Sequence, residues 1–317
     1  MLPGPKGSIR LFRVIGIDVF LHWSWLVVAF YQIVKRKEQY SSLGWNIAEY
    51  LSLFFIVLLH EFGHALACRQ VGGRAERIML WPLGGVAYIA TPQRPGAVLW
   101  SIAAGPLVNV VLILPLAVLS VFAGSQGWEN TMPDAAGLVT SVLWINAVLL
   151  IFNLLPVYPL DGGQILRALL WFLVGRARSL FIVAVIGFAG VAALAGLALW
   201  MQSVWVGLIA AFVFTRCKAG WAQARALAEL EKAPRRPGFS CPSCQAAPPM
   251  LALWNCPKCQ TTFDTFETRA ECPQCHSSFS ATQCLECGRS SPMSEWEAAA
   301  SPATPFPAAP SSQRSGL

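Results

Sequence analysis

Residues 48–67 read AEYLSLFFIVLLHEFGHALA, and His60-Glu61-Phe62-Gly63-His64 sits inside this apolar run rather than on a water-facing helix. On a helix, residues four apart share a face. His60 and His64 can therefore offer ring nitrogens to one metal ion, with Glu61 close enough to handle a proton. Zinc is the natural guest of that spacing. A helix of this composition is a membrane helix, where an ionisable side chain costs about 2.5–3.5 kcal/mol on insertion scales, so such residues are usually retained for function. The bland alternative is an accidental match in which both rings only hydrogen-bond to neighbouring helices. With only four histidines in 317 residues, finding two at metal spacing argues against it.

Composition extends the argument. The chain is 55% hydrophobic and 12% charged, with a mean hydropathy of +0.53. That leaves too little polar surface to cover a soluble globule. The net charge of +7 comes from Lys and Arg beside apolar segments, as the positive-inside rule produces, which makes nucleic-acid binding the weaker reading. Eight of the ten cysteines form four CxxC pairs near the C-terminus, a spacing that favours metal sites in a reducing compartment over disulfides.

Apolar runs of spanning length occupy residues 14–34, 47–71, 97–123, 137–155 and 179–200, and a shorter run at 204–215 makes a sixth. Arg69, Arg74, Arg77 and Arg94 follow the second run, Arg176 and Arg178 the fourth, and Arg216 and Lys218 the last. These loops are expected to be cytoplasmic, giving a multi-pass protein of the cell (inner) membrane with both termini inside. Lys35, Arg36 and Lys37 run against that sum. Residues 77–89 (RIMLWPLGGVAYI) are too short to cross as a helix and are broken by Pro82, Gly84 and Gly85. They are expected to form a β-hairpin or re-entrant loop bordering the active-site cavity, or a hairpin at the headgroups.

A catalytic zinc needs three protein ligands and an open position. Residues 153–163 (NLLPVYPLDGG) end the fourth span with Pro156 and Pro159 breaking the helix and two glycines permitting a sharp turn. Asp161 is then an acid in a largely apolar setting. Its alternatives are a cap for the helix near Gln164 or an ion pair with Arg167, but beside His60 and His64 ligation is the better reading. Asn153 either donates a hydrogen bond to a substrate carbonyl or satisfies backbone freed by Pro156.

HEFGH in the second span, Ala104-Gly105-Pro106-Leu107-Val108-Asn109 in the third, and residues 153–163 together resemble the site-2 protease family of intramembrane zinc metalloproteases. Residues 16–25 (GIDVFLHWSW) are similar to the opening of its six-span bacterial subgroup, which includes the sporulation-factor-processing protease. The resemblance covers residues 10–217. It implies that His60, His64 and Asp161 bind zinc, that Glu61 is the catalytic base and that Asn153 lies along the substrate path. His22 belongs to the opening motif without a ligand role. The implied activity is metalloendopeptidase cleavage in or near a transmembrane segment of a single-span protein in the lipid bilayer, such as a membrane-tethered transcription regulator or anti-sigma factor. Glu61 would take the water proton and return it to the leaving amine. The substrate helix must unwind first, and residues 77–89 offer it an edge to pair with.

The expected fold is thus an all-α polytopic membrane protein of about six transmembrane helices with a hairpin after the second, organised as a core (1–217), a helical linker (218–238), a cytosolic tandem zinc-ribbon domain (239–290) and a disordered tail (291–317) rich in Ala, Pro and Ser. Cys241, Cys244, Cys256 and Cys259 are read as one four-thiolate zinc site and Cys272, Cys275, Cys284 and Cys287 as a second, with crossed pairing between the sets left open. The ribbons offer a surface for a protein partner. The nucleotide-sensing motifs that the resembling subgroup often carries after its last span are missing here, so the ribbons are left to recruit or gate substrates. Against the enzyme stands a non-catalytic membrane scaffold or zinc-handling protein acting through its ribbons. Glu61 discriminates, because holding zinc needs no base beside the metal. A membrane metallopeptidase with a glutamate as third ligand is disfavoured by the LDGG context of Asp161.

Overall fold

The computed structural model describes residues 7–36, 38–81 and 84–300. They fall into two compact units, Met1–Glu231 and Lys232–Leu317.

The first unit begins with β1 (Ser8–Val14), β2 (Ile17–His22) and α1 (Ser24–Lys35), followed by α2 (Leu43–Gln70), β3 (Arg74–Trp81), β4 (Gly84–Ala90) and α3 (Pro95–Ser125). A short α4 (Trp128–Thr131) leads to α5 (Pro133–Leu154), α6 (Asp161–Val174), α7 (Arg176–Trp200) and α8 (Val204–Lys232). Among the described residues, α2, α3, α5, α7 and α8 are long and apolar enough to cross a membrane, and the chain is an integral membrane protein.

The expected first span, residues 14–34, is not one helix. Ile15 and Gly16 both have positive φ, the two-residue turn that suits a tight hairpin. β1 and β2 pair across it, and Asp18 of β2 forms an ion pair with Arg10. Only α1 remains helical, and its 12 residues cover about 18 Å, short of the roughly 30 Å hydrocarbon core. The unit is therefore not all-α. β2 runs parallel to β3 and β3 antiparallel to β4, giving one four-stranded sheet in the order β1-β2-β3-β4. Of residues 77–89, all but Pro82 and Leu83, which lie outside the described residues, belong to β3 and β4. One face of the sheet packs on α2 through Ile17, Val19, Ala75, Ile78 and Leu80 against Val57, Leu58 and Ala65. This buries the HEFGH turn beneath β-structure.

The sixth expected span and the linker are also revised. The helix starting at Val204 continues without a break to Lys232 because its small residues keep packing: Ala224 is buried with Leu180 and Val183 of α7. The Ala177 backbone N–H donates to Glu231 Oε1 at 3.2 Å, so α8 ends level with the start of α7.

In the second unit, Arg235 pairs with Pro249 and Arg236 forms an ion pair with Asp264, so residues 233–238 are folded rather than a free linker. Two minimal hairpins, β5 (Trp254–Asn255) with β6 (Thr262–Phe263) and β7 (Thr282–Gln283) with β8 (Ser290–Ser291), are followed by α9 (Met293–Ala300). Residues 291–300, expected to be part of a disordered tail, are therefore folded. Trp296 of α9 is fully buried against Phe266, ring centroids 4.8 Å apart. Residues 301–317 lie outside the described residues.

Candidate metal centre and zinc-ribbon sites

α2 presents His60 and His64 on one face, and the site is completed from α3 and α6. His60 Nε2 lies 3.1 Å from His64 Nε2 and 3.0 Å from Asp161 Oδ2, and His64 Nε2 lies 3.4 Å from the same oxygen. Tetrahedral zinc with bonds of about 2.0–2.1 Å holds its donors about 3.3 Å apart, so this donor set fits the ion. Asp161 is the first residue of α6, where the helix dipole favours a carboxylate. Its turn is possible because Gly163 has no side chain: a Cβ there would stand 2.6 Å from the Tyr158 backbone nitrogen. The alternative pairing of Asp161 with Arg167 is not made.

The far nitrogens of both rings are held by α3. His60 Nδ1 donates to Asn109 Oδ1 at 2.6 Å, and His64 Nδ1 donates to the Ser101 carbonyl at 2.9 Å. This fixes the tautomer that leaves each Nε2 lone pair for a metal. Asn109 is fixed in turn: its Nδ2 donates to Asn146 Oδ1 at 2.7 Å, and Asn146 Nδ2 donates to the Asn109 carbonyl at 2.9 Å. Both asparagines are completely buried. α3 comes close enough because Gly105 faces the imidazoles, where a Cβ would collide with His64 and sit 2.9 Å from His60 Nε2. One turn along, Gly63 lies against the Ala104 carbonyl, a close crossing built from small residues.

Glu61 is buried next to this cluster and covered by β4. Its side chain fills the place a Cβ on Gly85 would need. Asn153 is half-buried in the last turn of α5. His22 is structural: it bonds to Ser24 Oγ and stacks on Trp81 with ring centroids 4.1 Å apart. Asn109 was visible as part of the third-span motif but without a role, and Asn146 went unnoticed. The available signal was a polar amide in each of two apolar spans, where an unsatisfied amide is costly.

The eight ribbon cysteines also assemble, but not in sequence order. Cys241, Cys244, Cys284 and Cys287 form one group and Cys256, Cys259, Cys272 and Cys275 the other, so the inner two CxxC pairs make one site and the outer two enclose it. Sulfur–sulfur separations are 3.7 Å (Cys241–Cys287), 3.8 Å (Cys244–Cys284) and 3.5 Å (Cys256–Cys275 and Cys259–Cys272). Zn–S bonds of about 2.3 Å imply sulfurs about 3.8 Å apart. The nested arrangement follows from the β5–β6 hairpin and the turn after it. Asp264 Oδ1 accepts the Phe266 N–H, and Phe279 donates to the Ala270 carbonyl, which returns Cys272 to the first hairpin. Phe239, Trp254, Phe266 and Trp296 then form a core against Cys241 and Cys284.

Two histidines on the membrane-length helix α2 and Asp161 at the start of α6, with a buried carboxylate beside them, make a donor set that could hold a metal ion in an integral membrane protein. The model of peptidase family M50 matches residues 48–139 and 129–197, which include every residue of that donor set. A zinc metalloprotease of Methanocaldococcus jannaschii is 35% identical over 180 residues, 57% of this chain and 50% of the relative. Stage IV sporulation protein FB of Bacillus subtilis is 36% identical over 118 residues, 37% of this chain and 38% of the relative. Among solved structures, the site-2 protease from Methanocaldococcus jannaschii aligns with 29% identity and a TM-score of 0.49, over 68% of this chain and 95% of that one. Residues 48–197 thus match the model of peptidase family M50, and the chain is similar to zinc metalloproteases. It spans about half the length of the first of these curated relatives.

Proposed function

We propose that the protein is an intramembrane zinc endopeptidase that hydrolyses a peptide bond in or near a transmembrane segment of a membrane-anchored substrate. One observation carries the reading: His60, His64 and the carboxylate of Glu61 are buried together in α2, a helix of membrane length, and Asp161 at the start of α6 meets the two imidazoles as a third donor. His60, His64 and Asp161 would hold zinc, which when bound supplies a polarised, acidified water and a Lewis acid for the scissile carbonyl.

The protein's own groups do the rest. Asn109 and the Ser101 carbonyl keep the imidazoles in the Nε2-ligating tautomer. Glu61 removes a proton from water and returns it to the leaving amine. β4 is an edge strand of the sheet, and Gly85 brings its backbone against Glu61. An unwound substrate segment pairing with β4 would pass the base in extended form, with its freed backbone groups satisfied by the strand. Asn153, near the end of α5, is assigned to the same path. The substrate side is a single-span membrane protein, with a membrane-tethered regulator or anti-sigma factor as the class to look for. The eight cysteines would hold two structural zinc ions. Both termini are assigned to the cytoplasm of a cell whose inner membrane holds the protein.

The test is reconstitution. Purified protein in lipid vesicles, given single-span proteins extracted from cells that carry Glu61→Gln, should cut a small subset of them. Adding a chelator or using the variant should abolish cutting. Equal cutting by the variant would remove Glu61 from the reaction.

A further inference from the structure

The ribbon unit carries an apolar tip that its own core does not use. Met250, Leu251 and Leu253 are 45%, 36% and 41% exposed, and Ala252 between them is exposed as well. The tip is held on a fixed base: Pro248 and Pro249 are buried, the Arg236 N–H donates to the Pro248 carbonyl at 2.8 Å, and the Met250 N–H donates to the Pro234 carbonyl at 2.9 Å. Proline-stiffened residues lose little further freedom when they dock.

Charge is distributed to match. Residues 237–257 contain no Asp, Glu, Lys or Arg, while residues 258–300 contain nine. The tip thus belongs to a charge-free stretch of a unit that is charged elsewhere, and a contiguous exposed apolar feature marks an interaction site.

Chain connectivity says what lies within reach. Glu231, in the last turn of α8, bonds to the backbone of Ala177 at the start of the membrane-length helix α7, beside Arg176 and Arg178, the basic pair expected at the membrane surface. Pro234, to which Met250 is bonded, is three residues beyond Glu231. The short connection brings the membrane surface within reach of the tip.

We propose that residues 250–253 insert into the surface of the bilayer and hold the double ribbon on the membrane. The occupant is lipid: four apolar side chains without a charge among them match the headgroup–acyl boundary. The inference uses the membrane attachment of the chain and does not depend on its proteolytic activity.

The experiment places a photo-crosslinking amino acid, benzoylphenylalanine, at position 251 of the full chain in native membranes, and at Glu267, an exposed ribbon position, as comparison. Position 251 should yield adducts with the mass of a phospholipid and position 267 should not, with ribbon zinc content unchanged in both. With the probe at position 250 instead, adding Leu251→Asp and Leu253→Asp should abolish the lipid adduct. The proposal is overturned if position 251 crosslinks to polypeptide (another protein, a second copy or the chain's own helices), if it gives no lipid adduct, or if 251 and 267 label lipid equally.

Discussion

Asn109 Oδ1 accepts a hydrogen bond from His60 Nδ1 at 2.6 Å, and this contact between two helices decides which nitrogen of His60 is left for a metal. Removing the amide frees the ring to rotate or change tautomer. Loss of such an outer partner typically costs about 10–100-fold in metal affinity. Asn109→Ala should therefore lose the membrane-unit metal to a chelator concentration about tenfold or more below that needed for the native protein. Asn146→Ala, one bond further away, should show a smaller shift. Equal chelator curves for all three proteins would mean that the amides only pack.

Gly105 gives a steric counterpart. Gly105→Ala puts a methyl group into the space of the His64 ring, and overpacking of this kind costs about 1–3 kcal/mol. Metal analysis should find the membrane-unit ion lost or weakly held, both ribbon ions kept, and a lower unfolding temperature in detergent.

Glu61 and His64 separate chemistry from binding. Glu61→Gln should keep the metal content and lower turnover about 10²–10⁴-fold, the usual contribution of a general base. His64→Ala should lose metal and activity together. Finding less metal in Glu61→Gln would recast the carboxylate as a ligand.

Gly85 tests the edge of β4. Gly85→Val adds a branched side chain where Glu61 lies, so cleavage should slow while metal content stays at the native level. Loss of metal would make the strand part of the scaffold instead.

The nested ribbons can be read from paired substitutions. Cys241→Ser with Cys284→Ser alters one site and should cost one metal, whereas Cys241→Ser with Cys272→Ser alters both and should cost two. Pairing in sequence order predicts two metals lost in the first pair.

The metal centre was legible because its chemistry sits at fixed helical spacing or at a marked helix break: His60 and His64 four apart, and Asp161 after two prolines and before two glycines. The outer hydrogen bonds were not, since Asn109 and Asn146 meet only when α3 and α5 pack, which no local pattern encodes. Within the expected span 14–34, the strand residues 17–22 were hidden because an apolar strand and an apolar helix look alike by composition. The sequence signal that separates them is Gly16, which suits a tight turn, with Asp18 able to meet Arg10 and Arg13 across it; in the structure Ile15 and Gly16 take positive φ and Asp18 lies opposite Arg13. The cysteine spacing gave the ligands but not their grouping, because which CxxC pair meets which depends on the turn after β6. Trp296 fell in a segment whose composition reads as disorder, yet it closes the ribbon core.

The central claim is that Glu61, beside the His60–His64–Asp161 donor set, cuts within the membrane. The most direct measurement maps new protein termini in membranes of cells carrying the native chain and of cells carrying Glu61→Gln. A few termini should be present only with the native chain, each within or at the edge of a transmembrane segment of a single-span protein. Identical termini in both strains, or differences confined to soluble domains, would contradict it.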